Sequence, residues 1–136
     1  MTTILAGIMA GTLMGLFFIT HASLVLVFRP PAALARRAAE RGVTGLVTAG
    51  TAAALMLWTM LGVAAAFLFR AIENGYPSDI PSVPSLLYVL LVLFIAAFSA
   101  IPAAVFLRDR LVHLAAEYAL FVGIFGWLIP GLVQAI

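Results

Sequence analysis

Four long apolar runs, separated by short polar connections, constrain this chain more than any other feature. The runs cover Ile4–Phe28, Val43–Phe69, Leu86–Leu107 and Leu111–Ala135. Each reaches the length of about 20 residues that an α-helix needs to cross the hydrocarbon core of a bilayer. The sequence therefore predicts an all-α integral membrane protein, a four-helix transmembrane bundle built from two antiparallel hairpins.

The composition also indicates a lipid environment. Of the 136 residues, 65% are hydrophobic and 9% are charged, whereas soluble domains average about 45–50% apolar and about 25% charged residues. No connection is long enough to fold in water, so we expect a single transmembrane domain over residues 1–136. The first run is longer than the apolar core of a signal peptide, and we expect it to be retained as a helix.

The distribution of arginine predicts the orientation in the membrane. All seven basic residues are Arg: Arg29, Arg36, Arg37 and Arg41 in the first connection, Arg70 in the second, and Arg108 and Arg110 in the third. Cytoplasmic loops are enriched in Arg and Lys. The first and third connections are therefore predicted to be cytoplasmic, with both termini on the non-cytoplasmic side. We expect a multi-pass protein of a bacterial or archaeal cytoplasmic membrane.

Three arginines of the first connection, Arg36, Arg37 and Arg41, have two interpretations. The simpler one is a solvated loop that sets the topology. The alternative is a site for anionic lipid headgroups. Because topology accounts for the basic charge, we predict no nucleic-acid partner.

A ridge of small residues runs along the first helix. Gly7, Gly11 and Gly15 are spaced by four, which places them on one helix face and allows another backbone to approach closely. This glycine ridge is expected to pack either against another helix of the same chain or against a second subunit. We therefore expect a homo- or hetero-oligomer with other transmembrane helices.

Every predicted helix places a polar residue at a similar depth from the cytoplasmic arginines. His21 lies eight residues before Arg29 and Glu117 seven after Arg110, which is about 12 Å and about 10 Å along a helix. Together these residues define a predicted polar layer: His21, Thr48, Thr51, Ser99 and Glu117, with His113 one turn nearer the cytoplasm. An ionisable residue inside a membrane is costly and usually has a function.

Four interpretations of the polar layer remain open. His21 and Glu117 form a structural pair that fixes the helices, with the hydroxyls bonded to backbone carbonyls, or they form a proton or ion site on a transport path. The third interpretation is a cofactor site, with His21 and His113 on a haem or with Glu117 added to hold a metal. The fourth is a quinone or lipid pocket whose apolar wall contains Trp58, Trp127 and phenylalanines.

Two histidines are a thin basis for a metal or haem, so neither is the favoured interpretation. The sequence contains no cysteine, and it has no phosphate-binding loop and no hydrolase or zinc-protease motif. We therefore predict a non-catalytic membrane subunit that packs with other transmembrane proteins or with itself. A small oligomeric transporter or proton conductor is the alternative, and a haem- or quinone-binding redox subunit is the second alternative.

Reporter fusions test the predicted topology. A periplasmic reporter fused in the connection after Arg70, or at the C-terminus, is expected to be active, and a cytoplasmic reporter at the same points is expected to be silent. A cytoplasmic signal from either fusion would contradict the orientation.

Overall fold

The structure, a computed structural model, describes residues 2–28, 36, 39–40, 42–80, 83–106 and 110–135. Of these residues 92% are helical and none is in a strand, which confirms the all-α prediction. Arg36 has an exposed side chain, whereas Arg37 and Arg41 lie outside the described residues. A lipid-headgroup site at these arginines stays a prediction.

Six helical segments have defined bounds in the structure. They are α1 (Thr2–Phe28), α2 (Val43–Gly75), α3 (Leu86–Phe106), α4 (Leu111–Gly123), a π-helical segment (Ile124–Leu128) and α5 (Ile129–Ala135). Four spans are long and apolar enough to cross a membrane, and α4, the π-helical segment and α5 together form the last of them. These spans correspond to the four predicted runs.

The second helix is longer than the apolar run that predicts it. It continues from Phe69 to Gly75 because Asn74-Gly75 is the first turn signal in the chain after that run. The Glu73 carboxylate accepts hydrogen bonds from the backbone N–H groups of Ser78, at 3.2 Å, and Ser85, at 3.3 Å. One side chain thus ties the end of α2 to the start of α3.

The glycine ridge packs within the chain, against α2. A Cβ atom on Gly7 would lie 2.5 Å from the Cα of Val63, and one on Gly62 would lie 2.7 Å from the Cα of Gly11. Real Cβ atoms do not approach so closely, so only glycine allows these two backbones to touch. The hydroxyls of Thr12 and Thr59 lie 3.3 Å apart beside this contact. α1 and α2 are therefore an antiparallel hairpin with backbone-to-backbone packing.

The last span packs on this hairpin and on α3. The Tyr88 hydroxyl of α3 is fully buried and donates to the carbonyl oxygen of Phe125, at 2.8 Å. Phe125 lies in the π-helical segment, where the N–H of Ile129 bonds to the carbonyl of Ile124, five residues back. Tyr88, in the first turn of α3, thus lies in the protein core. The ring of Phe69 contacts the Tyr88 ring, with the centroids 5.0 Å apart.

The glycine contact predicts a large effect of a single methyl group. Gly11→Ala is expected to lower the free energy of unfolding by about 1–3 kcal/mol, because the added carbon forces the helices apart. The matched control is Gly50→Ala on α2, where a Cβ atom would meet nothing within 4 Å. We expect the control to be neutral or slightly stabilising, since Ala favours helix more than Gly does. Equal stabilities of the two variants, measured by unfolding in detergent, would contradict the contact.

Candidate functional site

An ion pair joins the first and last membrane spans. His21 Nδ1 lies 2.8 Å from Glu117 Oε1, and each side chain is 21% exposed. The contact brings together two residues of the predicted polar layer, one from α1 and one from α4. Its partial exposure shows that the helices do not close over it.

The second histidine extends this pair toward the start of α4. The rings of His21 and His113 meet edge to face, with their centroids 4.9 Å apart. Arg110 is half-buried and directly precedes α4, three residues before His113. Three ionisable side chains thus form a row in which each contacts the next: His113, His21 and Glu117.

A separate hydrogen-bonded group links α3 and α4. The Tyr118 hydroxyl donates to Ser99 Oγ at 3.1 Å, and Ser99 Oγ donates to the carbonyl of Ile95 at 2.7 Å. Ser99 therefore bonds to its own helix backbone, which is common for serine in transmembrane helices. Tyr118 is absent from the predicted polar layer, although it directly follows Glu117.

The two threonines of the predicted layer are not part of the site. Thr48 is exposed and Thr51 is half-buried, and no side-chain hydrogen bond ties either one to another residue of the described ranges. All described side chains of residues 42–50 are exposed, so the first turns of α2 stand apart from the other helices. A similar distance along the sequence from the nearest arginine therefore does not bring these threonines to the site of His21 and Glu117.

A cleft of about 540 Å³ lies between the four spans. Its polar end is formed by His21, Ser99, Arg110, His113, Glu117 and Tyr118. Leu61 and Leu68 of α2 and Ile95 of α3 also line it and are exposed by 40–45%. The cleft therefore opens to the surface of the bundle between α2 and α3.

Four aromatic side chains form one wall of the cleft, and we call them the aromatic wall: Phe18, Trp58, Phe121 and Phe125. The ring centroids of Phe18 and Trp58 are 5.9 Å apart, and those of Phe121 and Phe125 are 4.6 Å apart. Trp58 bridges the two pairs, at 6.3 Å from Phe121 and 6.1 Å from Phe125. One interpretation of the sequence, the quinone or lipid pocket, already includes Trp58 and phenylalanines in an apolar wall. Phe121 and Phe125 follow Glu117 by four and eight residues, and this spacing is the signal that could have placed them on its face.

The described residues do not favour a metal or a haem. Nowhere in the described ranges are three His, Asp or Glu side chains placed to hold a metal ion. The two histidine rings are in direct contact, which leaves no space for an iron atom and its macrocycle between them. Trp127, which the sequence adds to the apolar pocket, is exposed and does not line the cleft.

No family model, curated protein or solved structure matches this chain. The function is therefore argued from the cleft and its residues.

The ion pair predicts energetic coupling between His21 and Glu117. In a double-mutant cycle with His21→Leu and Glu117→Gln, we expect a coupling free energy of about 0.5–2 kcal/mol, the range of polar contacts between membrane helices. Unfolding by titration with SDS measures it.

A second cycle, with Thr48→Val and Glu117→Gln, is the control. Its two effects are expected to add, because Thr48 lies outside the site. Additivity in the first cycle, or coupling in the second, would contradict the described arrangement.

Proposed function

We propose that this protein is a small, non-catalytic multi-pass membrane protein that binds a membrane-soluble amphiphile in its cleft. The observation that carries the proposal is that the His21–Glu117 pair lines an open cleft. A pair that served only to fasten two helices would be better sealed from its surroundings, since lipid penalises exposed charge.

The shape and the chemistry of the cleft suit such a ligand. Its volume of about 540 Å³ lies within the range of about 300–1,000 Å³ that is typical of small-molecule sites. Polar groups are gathered at one end and the aromatic wall follows directly, so a polar head and an apolar body have separate places. The opening between α2 and α3 admits a molecule from the bilayer.

The arginine distribution supports an orientation for this site. The larger number of Arg residues in the first and third connections supports a polar end in the cytoplasmic part of the membrane, which we propose to be bacterial or archaeal. Both termini then lie on the other side. We propose that a ligand head enters the site from the cytoplasmic leaflet.

Association with other transmembrane proteins, or with a second copy, is also part of the proposal. It is supported by the short connections between the four spans, none of which is long enough to fold in water. The glycine ridge no longer supports it, because Gly7 and Gly11 pack on α2 of the same chain.

Proton conduction is the second candidate function. The succession of His113, His21 and Glu117 favours it, since each group contacts the next. A proton flux in proteoliposomes that is lost on Glu117→Gln would favour conduction over simple binding. Equal flux through the wild type and this variant would exclude a role for Glu117 in conduction.

A substitution that narrows the cleft tests the main proposal. Ala64 of α2 lines the cleft and is exposed, and Ala53 of the same helix is exposed but lies outside it. We expect native mass spectrometry of the wild type and of Ala53→Phe to show a bound amphiphile, and Ala64→Phe to lose it. The same spectra give the number of protein copies and any partner. An absent adduct in the wild type, or an equal adduct in all three proteins, would overturn the proposal.

A further inference from the structure

The polar end of the cleft leaves one nitrogen of His21 for a ligand. Imidazole has two ring nitrogens, and Nδ1 is occupied by Glu117. No hydrogen bond joins Nε2 to another residue in the part of the chain that the structure describes. Nε2 donates when the ring is protonated, and it accepts when a neutral ring carries its proton on Nδ1. A ligand oxygen that is a carbonyl in one form and a hydroxyl in another suits both states.

The Tyr118 and Ser99 hydroxyls are already committed elsewhere. Tyr118 donates to Ser99, and Ser99 donates to the Ile95 carbonyl. Each hydroxyl has one proton to donate, so neither has a donor left for a ligand. His21 is therefore the better anchor for a ligand head.

The aromatic wall begins one helical turn from this anchor. Phe18 precedes His21 by three residues on α1, and Phe121 follows Glu117 by four on α4. The rings of the wall lie 4.6 to 6.3 Å apart, the range in which aromatic rings attract one another by edge and face. A planar ring gains this attraction, whereas a saturated acyl chain gains only the burial of its area.

On these grounds, and resting on the proposed amphiphile site, we propose that the ligand is a membrane quinone: a planar ring with oxygen substituents and a long apolar tail. One ring oxygen bonds to His21 Nε2, the ring packs on the aromatic wall, and the tail leaves between α2 and α3. The head is uncharged, which suits an imidazole–carboxyl pair that has no net charge either as an ion pair or as a neutral hydrogen-bonded pair. An acidic lipid held at Arg110 is the competing occupant that the experiment separates.

The two tryptophans of the chain provide the assay. Trp58 lies in the aromatic wall, and Trp127 is exposed outside the cleft. Trp127→Phe leaves Trp58 as the single reporter, and Trp58→Phe leaves Trp127. Both proteins are placed in lipid nanodiscs and titrated with a benzoquinone that carries a ten-carbon chain, because quinones quench indole fluorescence on contact.

Saturable quenching is expected for the Trp58 reporter, and only gradual, non-saturating quenching for the Trp127 reporter. In the Trp58 background, His21→Gln is expected to weaken binding about tenfold, equivalent to about 1.4 kcal/mol. Thr48→Val, outside the cleft, is expected to leave the affinity unchanged. An affinity that does not respond to His21→Gln would overturn the proposed anchor.

Competition identifies the occupant. Decanoic acid and phosphatidylglycerol, added in excess, are expected to leave the quinone bound. If phosphatidylglycerol displaces the quinone and Arg110→Gln abolishes this effect, the site belongs to an acidic lipid, and the quinone inference is wrong while the amphiphile site stands. If the Trp58 reporter shows no saturable quenching but native mass spectrometry still shows an adduct, the quinone inference alone fails. If neither signal is present, both proposals fail.

Discussion

The direct contact of the α1 and α2 backbones is the interaction on which the rest of the structure depends. Lipid chains are as apolar as leucine, so membrane helices associate through close packing rather than through exclusion from water. Gly7, Gly11 and Gly62 make that packing as close as a polypeptide allows. The contact also fixes the rotation of α1, and with it the direction in which Phe18 and His21 point. The glycine contact therefore determines where the cleft lies, although it is distant from the polar end of the cleft.

The polar end shows how ionisable groups are accommodated in a bundle made almost wholly of apolar side chains. Glu117 contacts His21 directly, and His21 contacts His113, so each of these ionisable side chains has a polar neighbour. A charge left alone at this depth would cost several kcal/mol. The same grouping leaves the neighbouring turns of α1 and α4 free to carry the aromatic wall. The polar end and the aromatic wall of the cleft are therefore one helical turn apart.

The four long helices and a pairing of His21 with Glu117 could be predicted from the sequence. The length of an apolar run and the number of residues from its end can both be counted along the chain. The packing around each helix could not be predicted in the same way. Thr48 and Thr51 were counted with the polar layer from their positions in the sequence, but the first turns of α2 have no neighbours among the described residues that would enclose them. Tyr88 shows the same dependence on packing, because its hydroxyl can be buried only where a carbonyl on another helix, that of Phe125, lies within reach.

The π-helical segment has a geometric consequence for the whole last span. Side chains spaced by four on an α-helix advance by about 40° beyond a full turn, because the repeat is 3.6 residues. A row built on Phe121, Phe125, Ile129 and Val133 would therefore wind away from its neighbours. The π-helical turn at Ile124–Leu128 has more residues per turn, so each residue rotates less about the helix axis. This smaller rotation cancels part of the drift in the middle of the row. Phe125, Ile129 and Val133 all remain buried, so one wide turn keeps a single column of large side chains aligned across the membrane.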